Sequence, residues 1–200
     1  MKSFFQKCVF LLSLSLLVSC AGLSRPNGEG WITLFDKSSN LNQWTQVSSA
    51  NWRIQHGVLQ ADLLNSKDAS FLVHKTKFKD FQIYSEFWAD AQTNSGIFIR
   101  CANPEKITAV DCYEVNIWDT RPGQEYATGA IVDVAKVNPI HKAGGRWNTM
   151  EIIANGSQLK VSMNGVVTSE ANNSKFSEGP IALQSAGGII KFRKLEIKPI

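Results

Sequence analysis

The chain has 200 residues, a formal net charge of +4, and 44% hydrophobic against 19% charged residues. That balance supports one folded domain and excludes wholesale disorder, and ordinary glycine and proline contents exclude a collagen-like or linker chain. The charge is too small, and no basic stripe accompanies it, so a nucleic-acid partner is not expected.

In chain order, Met1-Lys2 and Lys7 form a positive start, and Val9 to Val18 is an apolar run too short to span a bilayer as a helix. Leu17-Val18-Ser19-Cys20, followed by Ala21-Gly22, resembles a bacterial lipoprotein signal. Residues 1–19 then read as the signal peptide and Cys20 as the lipidated new N-terminus, an ordinary secretory signal being the alternative. Losing Lys2 and Lys7 lowers the charge from +4 to +2. By likeness to bacterial sorting signals, Ala21 rather than Asp favours the outer membrane, facing the periplasm. No later apolar run approaches spanning length, so membrane contact is expected through the Cys20 lipid only. Residues 20–29 read as a tether, and residues 30–200 as a single domain. The oligomeric state is left open by the sequence.

From Trp31 onward the signals are those of strands. Trp31, Phe35 and Trp44 are expected to close one end of the core. His56-Gly57, Asn155-Gly156, Asn164-Gly165 and Gly187-Gly188 separate apolar runs and predict tight turns, because Asn and Gly tolerate a positive φ. In Phe81–Trp88 one face carries Phe81, Ile83, Ser85 and Phe87, and the other Gln82, Tyr84, Glu86 and Trp88. This is the period of a sheet buried on one side. Ser95–Arg100 and Tyr113–Trp118 read as a strand pair that would bring Cys101 and Cys112 together. In an oxidising compartment a Cys101–Cys112 disulfide is then expected, two buried thiols being the alternative. Only the stretch around residues 172–176 permits a helix. About a dozen strands with short turns predict an all-β jelly-roll sandwich of two packed antiparallel sheets.

No phosphate loop, HExxH, EF-hand loop or GxSxG is present, and the three histidines, His56, His74 and His141, form no metal box. No cofactor is therefore expected and no metal-ligand set can be read, the metal requirement being left open by the sequence. The remaining chemistry lies on strands. Tyr84, Glu86 and Trp88 share one face; Gly96, Phe98 and Arg100 share another; Glu114, Asn116 and Trp118 share a third. Lys136 closes the segment 130–136. Carboxylates, amides and a guanidinium bond sugar hydroxyls, indoles stack on pyranose faces, and paired carboxylates suit glycosidic acid–base work. The bland reading pairs Glu86 with Arg100 as a structural ion pair and buries Trp88 and Trp118 in the core. Two polar residues on a central strand between Val115 and Ile117 nevertheless need partners or a ligand.

Several motifs together carry a family resemblance: Gly30-Trp31-Ile32-Thr33-Leu34-Phe35-Asp36 with Leu41 and Trp44, then Asn94-Ser95-Gly96-Ile97-Phe98-Ile99-Arg100 and Tyr113-Glu114-Val115-Asn116-Ile117. Gly145-Arg146-Trp147-Asn148, Gly179 to Gln184 and Phe192 to Pro199 complete the set. The chain resembles the 3-keto-disaccharide hydrolase domain family. The resemblance implies a concanavalin-A-like jelly roll and cleavage of glycosides whose sugar is oxidised to a ketone at C3. It makes carbohydrate the expected partner. Glu86 and Glu114 become candidates for acid–base roles, Arg100 and Lys136 for holding an enolate, and Tyr84, Asn94, Asn116 and Trp118 for positioning the sugar. Two departures stand out. Asn116 replaces a longer Gln, and Ser185-Ala186 follows Gln184 where many relatives carry Asp-His. A non-catalytic carbohydrate-binding module and an envelope interaction protein are the competing readings of the same sandwich.

Overall fold

A computed structural model describes residues 29–62 and 68–200. The predicted signal peptide, Cys20 and nearly all of the tether lie outside the described residues. Among the described residues there are thirteen strands, one 3-10 turn at Gln124–Tyr126, and no α-helix; the stretch at 173–178 is irregular.

One sheet holds β1 (Ile32–Phe35), β3 (Arg53–Gln55), β4 (Val58–Asp62), β6 (Phe81–Ala89), β9 (Trp147–Asn155), β10 (Gln158–Met163), β11 (Val166–Asn172) and β13 (Ile189–Pro199). Its order is β11-β10-β9-β6-β13-β4-β3, with β1 pairing the far part of the long β13. The other sheet holds β2 (Trp44–Val47), β5 (Ser70–Phe78), β7 (Ser95–Ile99), β8 (Tyr113–Ile117) and β12 (Gly179–Ser185), in the order β2-β5-β12-β7-β8. All pairings between named strands are antiparallel, and consecutive strands cross repeatedly from one sheet to the other, as in a jelly roll.

The alternation of side chains builds the core between the sheets. Ile83, Phe87, Phe192 and Leu195 of the larger sheet meet Leu72, Ile97, Val115, Ile181 and Leu183 of the smaller. Phe35 and Trp44 join this core, whereas Trp31 is only half-buried. The turn at Asn164-Gly165 has φ of 50° and 80°, and His56-Gly57 has 51° and 73°. Both residues of each turn thus adopt the left-handed conformation that tight hairpins require.

The two sheets differ in what covers their outer faces. The larger sheet leaves most of its outer side chains half-exposed, with Tyr84 and Glu196 buried among them. In the smaller sheet, β7, β8 and β12 are buried on both faces. A disulfide joins Cys101 to Cys112, and the loop between them lays Ile107 on Phe71, Phe98 and Ala182. Beyond β8, residues 128–132 run back along the strand: Asn116 N donates to Ala130 O (3.0 Å), Gly129 N to Asn116 O (2.9 Å) and Val132 N to Glu114 O (3.0 Å). The loops before and after β8 therefore wall in part of this face.

Candidate functional site

On β8 the inward residues are Tyr113, Val115 and Ile117, so Glu114 and Asn116 project from the opposite, outer face. The β7 register sets Gly96 opposite Asn116 and Phe98 opposite Glu114. The β12 register pairs Ala182 with Phe98 and Leu183 with Ile97, which carries Gln184 to the other side of Gly96. Two amides, Gln184 and Asn116, thus stand on either side of a glycine. Their strands are about 10 Å apart, two strand spacings. A Cβ at Gly96 would lie 3.0 Å from Val115 O and 3.3 Å from Phe98 Cε2, so the notch depends on the missing side chain. Asn94, half-buried, and Trp118, half-buried, continue the same face beyond the notch.

Several polar atoms here lack hydrogen-bond partners. Glu114 is 9% exposed, and its carboxyl makes no hydrogen bond among the described residues. Burial pushes its pKa up to about 7; the Arg121 charge opposes this and the Asp133 charge adds to it. Asn116 is fully buried and donates through Nδ2 to Tyr126 O at 2.5 Å, but its Oδ1 has no partner. Gln184 Oε1 and Arg121 Nε are likewise buried without one. Buried polar atoms are almost always satisfied in folded proteins, so orphans gathered around a near-neutral carboxyl mark a place for a polar ligand.

The neighbouring loop is firmly tied. Asp119 accepts hydrogen bonds from Thr128 Oγ1 (2.6 Å), Ala143 N (2.9 Å) and Gly144 N (2.8 Å). Lys142 Nζ donates to Asp119 O and to Gln124 Oε1. This holds the chain around Arg121, whose guanidinium lies 5.5 Å from the Trp118 ring centroid.

Of the residues singled out in the sequence, Asn94, Glu114, Asn116 and Trp118 share this face. Glu86 and Tyr84 do not. They project from the outer face of the larger sheet, on the far side of the core, because β6 belongs to that sheet. Tyr84 donates to Glu86 Oε1 (3.1 Å), Glu86 Oε2 accepts from Arg193 Nε (2.5 Å), and burial with the adjacent Glu86 charge pushes the phenol up to about 12. Glu86 and Glu114 therefore lie on opposite sides of the core and cannot flank one bond, as the expected acid–base pair would require.

Arg100 does not face the ligand notch either. Its φ of 51° breaks the strand alternation at the end of β7. The guanidinium, with no exposed surface, donates to Lys79 O (2.7 Å), Gly156 O (2.8 Å), Phe176 O (3.2 Å) and Asp80 Oδ1 (3.0 Å). It staples three turns at one end of the sandwich, and its ion-pair partner is Asp80 rather than Glu86. Lys136 is exposed beyond the tight turn at 131–135 and makes no hydrogen bond or ion pair among the described residues. His141 is half-buried, with Nε2 3.0 Å from Asn164 Nδ2; burial holds its pKa down. No group of three His, Cys, Asp or Glu side chains suited to a metal ion occurs among the described residues.

Three contributors escaped the sequence reading as site residues: Gln184, Arg121 and Asp133. Gln184 had a signal, an amide that directly follows the apolar run Pro180–Leu183 on the same strand. Arg121 and Asp133 lie in irregular segments without periodicity, and only the fold brings them to Glu114.

Known structures share this architecture. A Parabacteroides distasonis ATCC 8503 protein named as a proposed glycosyl hydrolase aligns with a TM-score of 0.75 at 16% identity, covering 86% of this chain and 94% of that one. A second from the same organism, similarly named, gives 0.65 at 22% identity, covering 85% and 99%. The carbohydrate-binding module CBM66 from Bacillus subtilis gives 0.62 at 18% identity, covering 78% and 95%. At these identities the likeness speaks for the fold. No curated protein sequence matches the chain. The family model of the 3-keto-alpha-glucoside-1,2-lyase-like domain matches residues 30–198, nearly the whole of the sandwich, and the chain belongs to that family.

Proposed function

We propose that the outer face of the smaller sheet binds a carbohydrate and that Glu114 cleaves glycosides carrying a ketone at C3. The observation that carries this reading is a buried carboxyl near neutrality, without a protein hydrogen bond, among three orphaned polar atoms. Family membership supplies the substrate class.

The chemistry follows from the ketone, which acidifies the C2 proton. Glu114 carboxylate takes that proton, and the C2–H electron pair forms an enolate whose oxygen is received by N–H donors of Arg121 and Gln184. The enolate collapses to a ketone as C1=C2 forms and the C1–O bond to the leaving group breaks. The leaving oxygen takes the proton from Glu114, giving an alcohol and a 1,2-unsaturated 3-keto sugar, and the carboxylate is restored. Water adding across C1=C2 makes the net result a hydrolysis. One carboxyl performs both transfers, because Glu86 lies on the other side of the core. Asn116, Asn94 and Trp118 position the ring.

Incubation with a 3-keto-disaccharide and with its unoxidised parent tests the reading. Release of the second sugar from the keto form alone, lost in Glu114→Gln, is the expected result. Binding without release would make this a carbohydrate-binding protein. The observation favouring that second reading is Ala186, which follows Asn94 and Gln184 on this face and offers no titratable group. The reading includes a lipid on Cys20 and a place in the bacterial cell envelope. Cys20→Ser is then expected to move the protein from the membrane fraction to the soluble one.

A further inference from the structure

The outer face of the larger sheet carries the aromatic and charged residues that the Glu114 site leaves unused. Trp88 and Trp147 lie opposite each other on β6 and β9. Lys191 Nζ sits 4.6 Å from the Trp88 ring centroid, and the Arg193 guanidinium 4.5 Å from that of Trp147. Glu86 spends its charge on fixing Arg193 through Nε.

Beside this stack lies a cavity of about 370 Å³ lined by Arg146, Trp147, Asn148, Thr149, Asn164 and Arg193. Its wall is preorganised. Asn164 Oδ1 accepts from Thr149 N (2.8 Å), Asn164 Nδ2 donates to Asn148 Oδ1 (3.0 Å), and Asn148 Nδ2 donates to Ala143 O and Arg146 O (both 2.9 Å). Arg146 uses only Nη2, on Lys142 O, and Arg193 only Nε. Each guanidinium therefore keeps N–H groups without protein partners among the described residues. No carboxylate lines the cavity, and Trp147 is 36% exposed. A second depression across Arg193 contains Asp36 and Glu86 beside Lys37 and Lys194, so its charge is mixed and selects no anion.

Two guanidiniums with spare donors select a planar carboxylate, and an exposed indole selects the apolar face of a sugar ring. We propose that this cavity is a second, non-catalytic site that binds a sugar carrying a carboxylate, a uronate residue, independently of the Glu114 face. It would hold the domain on an acidic glycan while the opposite face meets its own substrate.

Titration of methyl glucuronide into the full-length ¹⁵N-labelled chain in detergent, followed at the tryptophan indole resonances, tests this. The Trp147 resonance is expected to shift saturably, with affinity falling about tenfold between 20 and 200 mM salt as screening grows. Arg146→Ala and Trp147→Ala are each expected to weaken binding about tenfold, the scale of an anchor residue. Glu114→Gln is expected to bind as the parent does, so loss of catalysis and loss of this site are separable. The proposal would be overturned by no shift, by an equal shift with the neutral methyl glucoside, by an equal shift with inorganic phosphate, or by parental affinity in Trp147→Ala, read at the indole of the paired Trp88. Binding to phosphatidylglycerol vesicles in place of the glucuronide would assign the cavity to a lipid headgroup and overturn it equally.

Discussion

Glu114 and Arg100 are both buried ionisable side chains, and their hydrogen bonding separates a chemical group from a structural one. The Arg100 guanidinium is satisfied by three carbonyls and Asp80, whereas the Glu114 carboxyl makes no hydrogen bond among the described residues. Folding raises the Glu114 pKa from the ordinary 4.5 to about 7, so the native state holds a proton that the unfolded chain has released. Stability therefore falls as pH rises through that window, by about 3 kcal/mol in all. Glu114→Gln should melt above the parent at pH 8, match it near pH 4, and lose turnover. In the parent, kcat/KM for a 3-keto glycoside should climb with pH and level off above an apparent pKa near 7, since the base must be ionised. Arg100→Met should behave oppositely. Leaving Asp80 and three carbonyls unanswered should cost about 3–5 kcal/mol in denaturant unfolding at every pH. Nothing near Arg100 in the chain announced this role, because its partners come from turns as far away as Gly156 and Phe176.

At the scale of the element, strand periodicity was readable and sheet membership was not. The alternation in β8 correctly turns Glu114 and Asn116 away from Val115 and Ile117. The alternation in β6 is equally clear and turns Tyr84, Glu86 and Trp88 away from Phe87. A period of two cannot say which sheet a strand joins, so two correct face assignments left opposite sides of the sandwich looking like one groove. The tight turns at His56-Gly57 and Asn164-Gly165 were legible because their geometry depends on the residues in them. The loop from Cys101 to Cys112 shows the complementary case. Its sequence permitted a disulfide, but only the fold reveals that Ile107 covers Phe71 and Phe98 beside Glu114. Replacing both cysteines by serine should cost about 3 kcal/mol, the loop-closure term for a crosslink of this span. Limited proteolysis should then cut between residues 102 and 111, where the parent resists.

At the scale of the whole molecule, the decisive property is that the sandwich has two outer faces with a core between them. Packed sheets stand about 10 Å apart, and each side chain projects further outward. Glu86 and Glu114 therefore cannot touch the same sugar ring, and any mechanism using both would need a different fold. The consequence is quantitative. Glu86→Gln removes half of a pair with Arg193, whose side chain is 48% exposed, so the stability loss should be about 1 kcal/mol or less. Turnover of a 3-keto-disaccharide should stay within about twofold of the parent, because sites this far apart with no shared partner act independently. The double variant Glu86→Gln with Glu114→Gln should be no slower than Glu114→Gln alone. Melting curves and kcat/KM on the four proteins complete the cycle. A folded Glu86→Gln protein without turnover would move the reaction to the face of Trp88 and Trp147, whereas a silent one leaves it with the orphaned amides around Gly96.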